Sequence, residues 1–138
     1  MSYDQATLQK LAEHRLAEAE LLLRNDFWSG AYYLAGYSLE CALKAKIASS
    51  FRGNEIPELS RVRQIYSHDL NSLLGLSGLK DELEAEMKVD AKLREYWTIG
   101  KAWSEQTRYE ICAEERASAI VEAVSGEKGL LRWLLNRL

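Results

Sequence analysis

The chain has 138 residues, of which 47% are hydrophobic and 28% charged, with a single proline. That length and composition suit one globular domain, spanning 1–138, with a real core, and they exclude a disordered chain. Eighteen Lys and Arg against 21 Asp and Glu leave a net charge of −3, which gives no whole-molecule pull toward nucleic acid or membrane. Two cysteines and two histidines are scattered along the chain with no metal-ligand spacing, so neither a metal site nor a cofactor is expected. Cys41 and Cys112 fall in apolar helical patterns and read as buried, reduced thiols. No stretch resembles a signal peptide, and no apolar run approaches the roughly twenty residues of a membrane span. A cytoplasmic protein is the expectation.

Ser2 with Gln5 three residues later fits a capping box and predicts the start of a first helix. Leu8, Leu11, Ala12, Leu16, Ala19, Leu22 and Leu23 then form an apolar stripe at helical spacing. Glu13, Arg15, Glu18 and Glu20 are its solvated side, and His14 among them reads as a surface residue. Asn25-Asp26 breaks the pattern, and Asp26 or Ser29 is suited to cap the next helix. So short a connection makes the two helices antiparallel neighbours.

Trp28 to Ile47 reads WSGAYYLAGYSLECALKAKI and is apolar nearly all round, the pattern of a central helix buried on most sides. Ala31, Ala35, Gly36, Ser38 and Ala42 would let neighbours approach closely. Gly36 costs roughly 1 kcal/mol relative to alanine in a helix interior, so close packing should compensate. Glu40 and Lys44 are four apart, acid first, the favourable order for an ion pair. They read either as that pair on a helix face or as polar groups aimed into a cleft.

Ser49 to Tyr66 reads as irregular, broken by Gly53-Asn54 and Pro57. From Lys44 to His68 there are five basic residues (Lys44, Lys46, Arg52, Arg61, Arg63) against Glu55 and Glu58, a local net of +3. A basic segment in an acidic chain is either a candidate phosphate site or a solvated loop. Ser67 or Asp69 then caps a short helix carrying Leu70, Leu73 and Leu74, ended by Gly75 and Gly78. A fourth helix is expected over Lys80–Trp97, followed by a turn around Gly100. A fifth runs from about Ala113 to Arg137, with Gly126 and Gly129 loosening its middle. No strand is predicted.

Glycine-rich phosphate loops, Cys/His arrays and nucleophile elbows are absent. One chemistry-bearing run remains, Arg61-Val-Arg63-Gln-Ile-Tyr66-Ser67-His68-Asp69. Histidine moves protons near neutral pH, and arginine stabilises developing charge on a phosphate. Metal-free RNA cleavage needs such a pair, because the attacking hydroxyl belongs to the RNA itself. The alternative is a His68 that hydrogen-bonds locally at a helix start. Tyr66, Tyr96, Trp97, Trp103 and Tyr109 are either base-stacking rings or core and interface.

Ala31-Tyr-Tyr-Leu-Ala-Gly-Tyr-Ser-Leu-Glu40-Cys-Ala-Leu-Lys44-Ala-Lys-Ile47, then His68-Asp69-Leu70, then Trp103 with Arg108-Tyr109, resembles the HEPN domain (higher eukaryotes and prokaryotes nucleotide-binding) over nearly the whole chain. The resemblance implies an all-α, up-and-down bundle of four or five helices, often a homodimer. It implies pairing with a small nucleotidyltransferase, in toxin–antitoxin fashion, with the HEPN protein as a metal-independent ribonuclease. The family's ribonucleases carry an arginine and a histidine separated by four to six residues near the start of the late helix. Arg63 and His68 match that spacing earlier in the chain, whereas Arg108 near the late helix has no histidine after it. Glu40 matches the polar position of the family's central helix and His68 the start of its third. The favoured reading is therefore a module that binds a nucleotide, an RNA or the nucleotidyltransferase. Its cleft would use Glu40, Lys44, Arg61, His68, Arg108 and Tyr109. The alternative is a ribonuclease using His68 with Arg63.

Overall fold

The computed structural model describes residues 4–51 and 53–138, and every described element is helical. In order these are α1 (Gln5–Arg24), α2 (Trp28–Ala48), α3 (Leu59–Ile65), α4 (Leu70–Ser77), α5 (Lys80–Met87) and α6 (Ala91–Lys101). A 3-10 helix (Glu105–Tyr109) follows, then α7 (Glu114–Val124) and α8 (Leu130–Leu135). The expected helical bundle is present, cut into more pieces than the sequence pattern suggested.

The centre is α2. It packs on α1, α4, α7, α8 and the 3-10 helix, and its Leu39, Leu43, Ala31, Ala35, Ala42 and Ala45 are wholly buried. Ala12 and Ala19 of α1 are equally buried, so the α1–α2 seam is built from small residues that bring the backbones close. Two contacts fix its antiparallel register: Ser38 Oγ donates to the Ala12 carbonyl at 2.6 Å, and Gly30 lies beside Leu22. The buried hydroxyl is thereby satisfied, as a buried polar group must be. At Gly36 the expected compensation is visible: a Cβ there would meet Trp103 Cδ1 at 2.1 Å. The glycine is the slot in which the 3%-exposed indole lies.

Several boundaries differ from the sequence pattern. Ser2 lies outside the described residues, and α1 is capped by Asp4, which accepts from the Thr7 amide at 2.8 Å. Neither Asp26 nor Ser29 caps α2. Asp26 turns the chain in the left-handed region (φ 67), and Ser29 Oγ instead accepts from the Cys112 amide at 2.8 Å. The stretch 49–66 contains α3, whose residues are all partly or fully exposed. The helix expected over Lys80–Trp97 breaks at Asp90, whose carboxylate accepts from the Lys92 and Leu93 amides and starts α6 afresh. Gly100 lies inside α6, and not at a turn. The helix expected over 113–137 divides at Gly126 (φ 86), and Gly129 follows where a Cβ would meet the Ser125 carbonyl at 2.0 Å. Cys112 sits between helices, and both cysteines are free and buried.

Among the cap assignments, Asp69 is as expected. It accepts from the Ser72 amide at 3.2 Å, and α4 ends at Gly78 in the left-handed conformation (φ 79). Leu70, Leu73 and Leu74 are buried, and they anchor α4 against α2. That anchoring carries His68, two residues before α4, to the flank of the central helix.

Candidate functional site: a histidine between two carboxylates

Ser67 Oγ accepts from the Asp69 amide at 3.0 Å, folding the chain into a tight turn before α4 and leaving His68 at its apex. On one side His68 Nδ1 lies 2.9 Å from Glu40 Oε1. On the other, Nε2 lies 3.1 Å from Glu105 Oε2, at the start of the 3-10 helix. The ring therefore joins three elements: α2, the α4 turn and the 3-10 helix. A neutral imidazole has one N–H, so both contacts are donated only by the charged ring.

Glu40 is the buried end of this chain, with its side chain 3% exposed. A carboxylate in that position needs partners on both oxygens. His68 takes Oε1, and Lys44 Nζ takes Oε2 at 3.2 Å. The ion pair along the helix exists, and Glu40 meets the cleft only through His68, since neither Glu40 nor Lys44 is among its walls.

That cleft is a cavity of about 330 Å³. Its walls include Ser67, His68, Asn71, Lys101, Ser104 and Glu105, with Asp69 and the buried Trp103 beside them. Ser104 caps the 3-10 helix by accepting from the Gln106 amide at 3.2 Å, which sets where Glu105 projects. Tyr33 stacks tilted against Trp103 and Tyr37, with centroids 5.9 and 6.0 Å away. These rings wedge the 3-10 helix against α2.

The other candidates are distributed as follows. Arg108 shares the 3-10 helix with Glu105 and lies over Tyr109, 5.0 Å from its centroid; Tyr109 is 75% exposed. Arg61 Nη2 donates to Ser50 Oγ at 2.7 Å, and its guanidinium lies over Phe51. It ties α3 to the end of α2 and is not among the cleft walls. Arg63 is exposed on α3, and its side chain makes no ion pair or hydrogen bond among the described residues. The local basic excess is largely consumed: Lys44 serves Glu40, Lys46 donates to the Arg137 carbonyl at 2.9 Å, and Arg61 serves Ser50. Arg52, the fifth of those residues, lies outside the described residues. Of the aromatic set, Trp97 and Trp103 are core, Tyr96 is half-buried, and Tyr66 and Tyr109 are exposed.

Glu105, Lys101, Asn71 and Ser104 were not singled out by sequence reasoning. The only signal was position: Ser104-Glu105 directly follows Trp103, itself part of the recognised pattern. A second cavity of about 450 Å³ lies by α5, α6 and α8. In its wall Arg137 binds Glu86, and also Glu82 beside it, while Trp133 donates to Glu86. Among the described residues no His, Cys, Asp or Glu group could hold a metal ion, and no helix is long and apolar enough to cross a membrane.

Compared with known proteins, the chain matches the family model described as HEPN domain over residues 6–135. No curated protein and no solved structure matches it.

Proposed function

The chain belongs to the HEPN domain family, and from that premise we propose that it is a nucleotide- or RNA-binding module whose ligand enters the cleft beside His68. The observation that carries this reading is the chain Lys44–Glu40–His68–Glu105. A buried carboxylate is met on its two oxygens by the Lys44 ammonium and the His68 ring, and His68 opens onto a polar cavity of about 330 Å³. Polar groups held in fixed directions at the mouth of a cavity are what ligand recognition requires. Arg108 and Tyr109, on the same 3-10 helix as Glu105, extend the site outward. An arginine lying over an exposed tyrosine offers a charge for phosphate and a ring for a base. In the cell the module would work as a homodimer beside a small nucleotidyltransferase, as the family resemblance implies.

The test is a titration of isotope-labelled protein with AMP and with a short single-stranded RNA, followed by NMR. Signals of Ser67, His68, Lys101 and Glu105 should shift, while those of Leu21 and Val89, exposed and not among the cleft walls, should not. Shifts spread evenly over the surface, or none at all, would remove the proposal.

A second reading, a metal-independent ribonuclease, rests on the Arg63–His68 spacing and on the 42% exposure of the His68 side chain. The geometry favours it less. Both ring nitrogens face carboxylates, and the guanidinium that the chemistry needs is not among the groups His68 touches. Expression of wild type beside His68→Ala and Arg63→Ala, with total RNA examined, separates the two. RNA cleavage lost in both variants would establish the nuclease.

A further inference from the structure

The two carboxylates on His68 are not equivalent. Glu40 is locked: it is buried, and its second oxygen is held by Lys44 at 3.2 Å. Its role is to orient the ring through Nδ1, so that Nε2 points toward Glu105 and the cavity, where it donates whenever the ring carries its second proton. Glu105 is the loose partner. Its side chain is 31% exposed, it stands on a short 3-10 helix, and among the described residues His68 is its only ion-pair partner. Around it the cavity wall presents the Lys101 ammonium and the Asn71 amide, neither with a hydrogen-bond partner among the described residues, and the Ser67 hydroxyl. Asp69, the other acid of the wall, is committed to the Ser72 amide at 3.2 Å. Residues able to donate thus share the wall of the cavity in which the protein has placed its own carboxylate.

We propose that the place of that carboxylate is an oxyanion site, occupied by Glu105 in the free protein, that receives a terminal phosphate group when Glu105 swings away. The proposal deepens the nucleotide- or RNA-binding reading and rests on it. A phosphate monoester carries between one and two negative charges and three acceptor oxygens at neutral pH, against one charge and two oxygens for Glu105. It can take the His68 Nε2–H and still have oxygens for Lys101 and Asn71, which a side chain tethered to the 3-10 helix leaves unused. Glu105 then acts as a gate: it engages Nε2 and holds the 3-10 helix docked until a stronger anion competes. The site would accept the phosphate of a mononucleotide or of an RNA end, and it would discriminate against an unphosphorylated nucleoside.

The experiment is calorimetric titration of full-length wild type, Glu105→Gln and His68→Gln with inorganic phosphate, AMP, adenosine, and 5′-phosphorylated RNA. Glu105→Gln keeps the shape and removes the competing charge, so it should bind phosphate and AMP roughly tenfold more tightly, the worth of one charge-assisted hydrogen bond at a half-open site. His68→Gln should lose that binding, and the ratio of AMP to adenosine affinity should rise roughly tenfold in Glu105→Gln. Tightening confined to AMP assigns the site to mononucleotides; tightening confined to phosphorylated RNA assigns it to RNA ends. If AMP binds wild type but Glu105→Gln binds it no better, the oxyanion gate is wrong while the nucleotide reading survives. Equal tightening of adenosine would also overturn the gate, since charge would not be what is read. If neither AMP nor RNA binds any folded variant, the nucleotide reading fails, and the gate stands or falls on inorganic phosphate by the same tenfold criterion.

Discussion

Gly36, Glu40 and Cys41 are near neighbours on one helix, and each answers to a different force. At Gly36 the force is steric. Alanine would gain roughly 1 kcal/mol of helix propensity, but its methyl would enter the Trp103 ring. Overpacking of that kind costs about 1–3 kcal/mol, and the indole has no room to retreat because it is itself buried. Gly36→Ala should therefore lower the unfolding free energy by up to about 2 kcal/mol, read from a urea transition. A more stable variant would mean that Trp103 is not fixed there. At Glu40 the force is electrostatic. Glu40→Gln leaves Lys44 and His68 facing an amide, and we expect a loss of about 1–3 kcal/mol together with a weaker hold on the 3-10 helix.

At Cys41 the force is desolvation. Burial, helped by the neighbouring Glu40, pushes its thiol up from 9.0 to about 12. Because the thiolate is the nucleophile, Cys41 should resist alkylation in the folded protein at neutral pH and react only after unfolding. The linkage has a definite sign. Between about pH 9 and 12 the unfolded chain gives up this proton and the folded one keeps it, so stability falls as pH rises through that window. Denaturation midpoints at pH 8 and pH 10 should separate more in wild type than in Cys41→Ala. An equal separation would show that Cys41 is not shielded.

Among the elements, interiors were legible in the sequence and boundaries were less so. The apolar patterns of α1, α2 and α7 follow from periodicity, because the same side chains that make the pattern fill the core. The division between α5 and α6 was hidden: the stretch around Asp90 contains neither glycine nor proline, and its periodicity runs on. What breaks it is one carboxylate able to cap two amides at once. Asp90→Ala should cost about 1 kcal/mol and lower helical signal in circular dichroism, since α6 loses its start. No change would mean that packing alone sets the break. Ser29 failed as a cap for the opposite reason. A local rule made it available, but the distant Cys112 amide claimed it. The glycines were legible where they act by conformation, at Gly78 and Gly126, because a left-handed φ is a property of one residue.

At the scale of the whole molecule, the fold is a central helix on which α1, α4, α7, α8 and the 3-10 helix pack, and the candidate site exists where that helix, the α4 turn and the 3-10 helix meet. Glu40, Lys44 and His68 could be picked out from the sequence, since each stands in a recognisable pattern. Their assembly could not, because it depends on α4 docking through Leu70, Leu73 and Leu74 and on Trp103 seating in the Gly36 slot. Glu105 was invisible for the same reason: one acidic residue among 21 Asp and Glu acquires meaning only when the 3-10 helix brings it to the ring. Conversely, Arg61 and Arg63 looked alike in sequence and have parted, one holding α3 to the end of α2 and the other exposed to solvent.

The most direct measurement is the affinity of wild type and His68→Gln for one labelled single-stranded RNA and for labelled AMP, by fluorescence anisotropy in the same buffer. His68 is 42% exposed at its side chain, so the substitution leaves the core intact and circular dichroism should be unchanged. The expected result is saturable binding by wild type to at least one ligand, weakened roughly tenfold or more in the variant, as for a charged hydrogen bond lost at the centre of a site. Equal affinity of the two proteins would contradict the cleft as the place where this HEPN protein meets its ligand.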